Sequence, residues 1–247
     1  MPLFSKLEKH FINSKFGKII YRITRGEGPV LILIHGLASS GKSWSKFIEY
    51  IPNNFTLIIP DLLGHGESNA PEIEYNVMFQ KEILLEIIKT EMLPNYSVMG
   101  HSYGGWIASI LAIDNPSIQA LILEDAGGLK GFFDEIVGTE KREQYKKTII
   151  EKSLQLNANE HVVSSILSDE FSTNQLTSKE LLKINAKTLI LWGMFDTVID
   201  KKFAFIFQKL IKNSEVKILN SKHTSHYTIP ETTAKEVVDF IFKSIKK

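Results

Sequence analysis

The chain has 247 residues, of which 43% are hydrophobic and 23% charged, with a formal net charge of +1 and no cysteine. These proportions are ordinary for a globular chain, and the length suffices for one large α/β domain or two small ones. The near-neutral charge gives no electrostatic reason to expect nucleic acid or an anionic membrane surface as a partner, and the lack of cysteine excludes disulfides, thiolate metal sites and a cysteine nucleophile.

The first ten residues carry charges every few positions around no apolar segment, so they do not read as a secretory signal. No stretch approaches 18 consecutive apolar residues, the length a membrane span needs. A cytoplasmic protein without a membrane span is the expectation. Residues 11–17 and 18–24 read as two strands joined by a turn at Lys15-Phe16-Gly17. The continuous apolar run at 30–34 suits a strand buried on both faces, as in a parallel sheet. A small-residue loop follows from His35 to Gly41, and residues 43–51 form a possible helix ending before Pro52. A second strand at 56–59 runs into the glycine-bearing loop Asp61-Leu62-Leu63-Gly64-His65-Gly66-Glu67-Ser68. Residues 74–93 have apolar side chains at helical spacing. Further strands are expected at 96–99, 120–123, 188–192 and 215–219, with helices at 106–112, 201–211 and 231–245. Between 127 and 187 no strand is evident, and the pattern suggests several short helices. Alternation of strands and helices implies crossover connections and a mostly parallel sheet, which binds ligands beyond the carboxyl ends of its strands.

Gly100-His101-Ser102-Tyr103-Gly104 sits where a strand gives way to a helix. In that context the pattern G-x-S-x-G describes a sharp turn that presents a serine hydroxyl above the sheet. Residues two before and two after the apex are crowded together, which glycine tolerates because it has no side chain. A serine hydroxyl is a weak nucleophile at neutral pH and needs a base, and the base needs a partner that fixes its tautomer. Seven histidines are present. His223 and His226 follow the last strand and fit the chain order serine, acid, histidine. Asp196 follows the strand at 188–192. His226 is a rival base, and Asp125 or Glu124, after the preceding strand, are rival acids. Asp61 and Ser68 read as organisers of their loop, His35, His65 and His101 as structural, and Asp200 as a cap for the helix beginning at 201. No metal-ligand spacing and no phosphate-binding glycine loop appears, so neither metal nor cofactor is expected.

These pieces occur in one order along the chain: His35-Gly36, the Asp61–Ser68 loop, the Ser102 turn with Gly105, Gly193-Met194-Phe195-Asp196, and His223 ahead of Pro230. In that order the chain resembles the α/β-hydrolase superfamily, in its lid-bearing, esterase-like and C–C-hydrolase-like serine hydrolase branch. The resemblance implies an α/β-hydrolase fold: a mostly parallel central sheet flanked by helices, with a helical lid after the sixth strand. It implies a core of residues 1–126 and 188–247 and a lid of 127–187. It further implies Ser102 as nucleophile, Asp196 as acid, His223 as base, and the backbone N–H groups of Leu37 and Tyr103 as an oxyanion hole. Two departures stand out: Lys222 replaces the glycine usual before the histidine, and Thr228 a glutamate often found after it. Trp44, Phe132, Phe133 and Phe195 are candidate pocket residues. The implied reaction is hydrolysis of a small, mostly apolar carboxylic ester. Hydrolysis of a C–C bond, an amide or a thioester is the alternative chemistry, and a ligand-binding module with little turnover is the alternative class. The expected partner is a small-molecule substrate, and the oligomeric state stays open.

Overall fold

The computed structural model describes residues 3–130, 139–170 and 174–245. Eight strands form one sheet in the order β1-β2-β4-β3-β5-β6-β7-β8. They are β1 (Glu8–Ser14), β2 (Gly17–Ile23), β3 (Val30–Ile34), β4 (Thr56–Pro60), β5 (Tyr96–His101), β6 (Ile118–Glu124), β7 (Lys187–Gly193) and β8 (Ser214–Leu219). β1 and β2 form an antiparallel hairpin, β2 pairs antiparallel with β4, and all later pairings are parallel. The helices are α1 (Val77–Thr90), α2 (Tyr103–Ala112), α3 (Thr139–Gln155), α4 (Glu160–Glu170), α5 (Ser178–Leu181), α6 (Lys202–Leu210), α7 (Ser225–Thr228) and α8 (Pro230–Ile245). No helix among the described residues is long and apolar enough to cross a membrane.

The unbroken apolar strand runs follow from burial on both faces. In β3, Ile32 and Ile34 join one core layer while Leu31 and Leu33 join the other; in β7, Ile190 and Trp192 oppose Leu189 and Leu191. The first layer packs against α1, α2 and α6, and the second against α8 and the segment around Trp44 and Phe47. α1 starts where Asn76 Oδ1 accepts the N–H groups of Met78 (2.9 Å) and Phe79 (3.1 Å), which satisfies two orphan donors.

The possible helix at 43–51 takes another form. Two short 3₁₀ turns, Gly41–Ser45 and Phe47–Tyr50, replace it. Trp44 and Phe47, one in each turn, are both fully buried there.

Between β6 and β7 the described helices are α3, α4 and α5. α4 is part of the core: Val162 and Ile166 are buried in the first layer, and His161 Nε2 lies 2.8 Å from the Ile73 carbonyl. Leu176 is held by Lys130 N–H to its carbonyl (2.8 Å) and by its own N–H to Gly128 (2.7 Å). α3 is more exposed and borders the cavity described next.

Candidate active site

Ser102 joins β5 to α2 at φ 52° and ψ −114°, a conformation that costs an L-residue about 1–3 kcal/mol and persists only where neighbours enforce it. The enforcing contacts are backbone ones. The Ser102 N–H donates to the Glu124 carbonyl at 2.9 Å, and its own carbonyl accepts from Gly105 (2.9 Å), Gly127 (3.0 Å) and Trp106 (3.2 Å). The turn is tight enough that a Cβ on Gly100 would lie 2.2 Å from the Gly104 carbonyl oxygen, and one on Gly104 2.3 Å from that of Ile34. Both positions therefore exclude any side chain.

Parallel strands end on one edge, and the loops after β5, β7 and β8 converge there. His223 Nε2 lies 3.1 Å from Ser102 Oγ, and His223 Nδ1 lies 2.8 Å from Asp196 Oδ2. The carboxylate is fully buried and the imidazole nearly so, at 0% and 16% side-chain exposure. Asp196 Oδ1 accepts from the N–H groups of Val198 (2.7 Å) and Ile199 (3.0 Å). Burial drives the Asp196 pKa upward, but the His223 partner and those two N–H groups outweigh it, leaving the carboxyl below its ordinary value. An ionised Asp196 requires the proton of neutral His223 on Nδ1, which leaves the Nε2 lone pair facing the serine hydroxyl.

Two of the three rivals considered from the sequence, Glu124 and His226, pair with each other. Glu124 Oε2 lies 2.8 Å from His226 Nδ1, while its Oε1 accepts the His226 N–H (2.8 Å) and the Ser225 hydroxyl (2.5 Å). Burial opposes ionisation of Glu124, yet the His226 charge and these hydrogen bonds carry its pKa down to about 2. His101 Nε2 contacts the His223 carbonyl at 2.6 Å, and burial lowers the His101 pKa to about 3. A neutral His101 therefore donates this bond. Glu124 and His101, from adjacent strands, thus grip the segment that carries His223.

Asp125 has a different part. Its Oδ1 accepts the Gly193 N–H at 2.8 Å, while its buried Oδ2 meets no donor. Burial, the Glu124 charge and the neighbouring Asp196 raise its pKa well above the ordinary value. A carboxyl that folds protonated destabilises the fold as pH rises from the unfolded value, near 4, toward its raised folded value. Asp125→Asn keeps the Gly193 hydrogen bond and removes this proton uptake. Its melting temperature should exceed the wild type at pH 7 in calorimetry, with the gain shrinking toward pH 4. An equal effect at both pH values would contradict a protonated Asp125.

Ser102 and His223 border a cavity of about 240 Å³, together with Leu37, Tyr103, Leu167, Val198 and Ile199. α3 adds Tyr145, Ile149, Lys152 and Ser153, and Leu156 follows it. Sequence reading missed these because only the packing of α3 onto the sheet edge identifies its inner face. The candidate pocket aromatics fare differently. Trp44 is fully buried in the second core layer, 4.2 Å from the His226 ring and edge-on to Phe47; it does not border the cavity. Phe195 is 55% exposed and also lies outside it. Phe132 and Phe133 fall outside the described residues.

The loop histidines and acids act as organisers. Asp61 Oδ1 accepts from Gly41 (2.7 Å) and Oδ2 from Glu67 (2.9 Å), and Ser68 Oγ donates to the Asp61 carbonyl (2.6 Å). His35 Nε2 accepts the Leu62 N–H at 3.0 Å. Asp200 Oδ1 accepts the Lys202 N–H at 2.9 Å at the start of α6. His101, Asp125 and His223 bring potential ligand atoms within 4.8 Å of one another, but His101 Nε2 is engaged by the His223 carbonyl and both ring nitrogens of His223 by Asp196 and Ser102, which makes a poor metal cradle.

The family described as alpha/beta hydrolase fold matches residues 29–161, just over half of the chain. An uncharacterized protein of Mycobacterium tuberculosis is 34% identical over 105 residues, 42% of this chain and 31% of that protein; the chain thus spans about a third of its length. The monoacylglycerol lipase ABHD6 of Mus musculus is 25% identical over 262 residues, covering 90% of this chain and 78% of that one. Among solved structures, an esterase from Thermogutta terrifontis superposes with a TM-score of 0.81 at 19% identity, covering 96% of this chain and 99% of that chain.

Proposed function

This chain belongs to the α/β-hydrolase family, and we propose that within it the protein is a serine hydrolase that cleaves a small, mostly apolar carboxylic ester through an acyl-enzyme on Ser102. One observation carries the reading: Ser102 Oγ, His223 and Asp196 form a single hydrogen-bonded series, with spacings of 3.1 and 2.8 Å. Nothing in packing requires a strained serine opposite a partly accessible imidazole.

The chemistry follows from the tautomer. His223 Nε2 takes the hydroxyl proton as Oγ attacks the ester carbonyl, and the resulting imidazolium is stabilised by Asp196. Charge collects on the former carbonyl oxygen, which the Leu37 and Tyr103 N–H groups receive; in other enzymes one such donor is worth roughly 3 kcal/mol. The imidazolium returns its proton to the leaving alcohol. Water, deprotonated by the same imidazole, then releases the acid and restores the serine. The segment 127–187 acts as the lid, with α3 closing the acyl cavity. A cavity of about 240 Å³ lies below the usual range of ligand pockets and suits a short acyl group.

Pre-steady-state hydrolysis of p-nitrophenyl esters tests this. A burst of p-nitrophenol stoichiometric with protein is expected, with kcat/KM peaking at short acyl chains. Absence of any burst, with only stoichiometric binding of the ester, would favour a binding module, whereas a preference for long chains would contradict the cavity reading.

A further inference from the structure

A second and larger cavity, of about 690 Å³, adjoins the first: Ala38 and Leu156 line both. Its walls differ in kind. The loop after β3 contributes Ser39, Ser40, Ser43 and Ser45, and the α3–α4 connection contributes Asn157 and Asn159. Among the described residues no carboxylate lines either cavity. The charged side chains there are ammonium groups, Lys42 in the large cavity and Lys152 in the small one. Lys46, which lines neither cavity, stacks 4.0 Å above the ring of Tyr227, a residue of the large cavity's wall. In a protein of net charge +1, this one-signed lining is a local property.

His65 belongs to the same wall. It lines the large cavity and is 6% exposed. Burial lowers its pKa to about 3, so the ring is neutral. Its Nδ1 lies 3.1 Å from the Leu63 carbonyl and carries the proton, while the buried Nε2 meets no hydrogen-bond partner. That atom is closed to solvent, so its missing donor is a cost borne by the fold, and His65 contributes to the cavity only as wall.

We propose that the large cavity binds the leaving-group portion of the substrate, an alcohol that carries further hydroxyl groups and an anionic group met by Lys42. The placement rests on the ester-hydrolase reading above: the apolar cavity at Ser102 takes the acyl chain, so the alcohol is directed into the adjoining polar one. Serine hydroxyls and asparagine amides match a polyol, and ammonium groups without competing carboxylates match its anion. Phosphate and carboxylate share this chemistry.

The test compares 1-butyrylglycerol, 1-butyrylglycerol 3-phosphate and the butyrate ester of glyceric acid at low ionic strength. At least one anionic ester should exceed the neutral one in kcat/KM by about tenfold, and Lys42→Gln should collapse that ratio toward one. Which anionic arm responds identifies phosphate or carboxylate as the anion. Equal kcat/KM for all three esters, or an undiminished ratio in Lys42→Gln, overturns the inference. Equilibrium titration of glycerol 3-phosphate and glycerate into the full chain, with Lys42→Gln alongside and inorganic phosphate as control, keeps the two readings apart. Lysine-dependent binding without ester turnover would sink the hydrolase reading and sustain the anion site. No binding of either polyol acid would remove the anion site whatever the turnover.

Discussion

Ser102→Ala should lower kcat toward p-nitrophenyl butyrate by about 10⁵–10⁶-fold, the order found when a nucleophilic serine is removed from a hydrogen-bonded series of this type. The protein should stay folded, for a reason visible in its hydrogen bonds. The backbone at 102 is fixed by its N–H to Glu124 and by its carbonyl, which receives Gly105, Gly127 and Trp106; none of these involves the hydroxyl. Alanine also shares the strain that serine accepts at φ 52°. A melting temperature within a few degrees of wild type is therefore expected alongside the loss of turnover. Activity above a hundredth of wild type in the purified variant would show that another group attacks the ester.

Asp196→Asn should reduce kcat by about 10⁴-fold with little change in KM. Val198 and Ile199 both donate to Oδ1, so the carbonyl oxygen of an asparagine would stay on that side. Its amide N–H₂ would then face His223 Nδ1 in place of Oδ2. Nδ1 would have to accept, the imidazole proton would move to Nε2, and Nε2–H would point at Ser102 Oγ with no lone pair for its proton. The loss thus arises from a reversed tautomer in an otherwise intact site. The same experiment decides between the candidate acids. If Asp125 were the operative carboxylate, Asp125→Asn would carry the large loss and Asp196→Asn would leave kcat near wild type.

Much of this was legible in the residues. Apolar runs bounded by turn residues placed the inner strands β3–β7, because strands buried on both faces have an unmistakable composition; β1, exposed over most of its length, was expected at 11–17 and runs from Glu8 to Ser14. Ser102, Asp196 and His223 were candidates because each lies at a strand end, and a parallel sheet gathers those ends on one edge; the same position left Glu124, Asp125 and His226 as rivals, and only the resemblance chose among them. Depth and partnership were less accessible. Trp44 was a pocket candidate within the possible helix at 43–51; it is a core residue, because the side of a 3₁₀ turn that faces the sheet depends on packing. Phe195 neighbours Asp196 in sequence but faces solvent. Glu124 and His226 were each weighed as rivals for catalytic roles, and a pairing between them is a contact across 102 positions that periodicity does not encode. The inner face of α3 was hidden for the same reason: its orientation is set by the sheet edge beneath it.

The central claim is a covalent bond between substrate and one oxygen. A fluorophosphonate probe, followed by peptide mass spectrometry, tests it without knowledge of the natural ester. A single adduct on Ser102, absent from Ser102→Ala and strongly slowed in Asp196→Asn, is the predicted result. Labelling at a different hydroxyl, or undiminished hydrolysis by protein fully labelled at Ser102, would contradict the account.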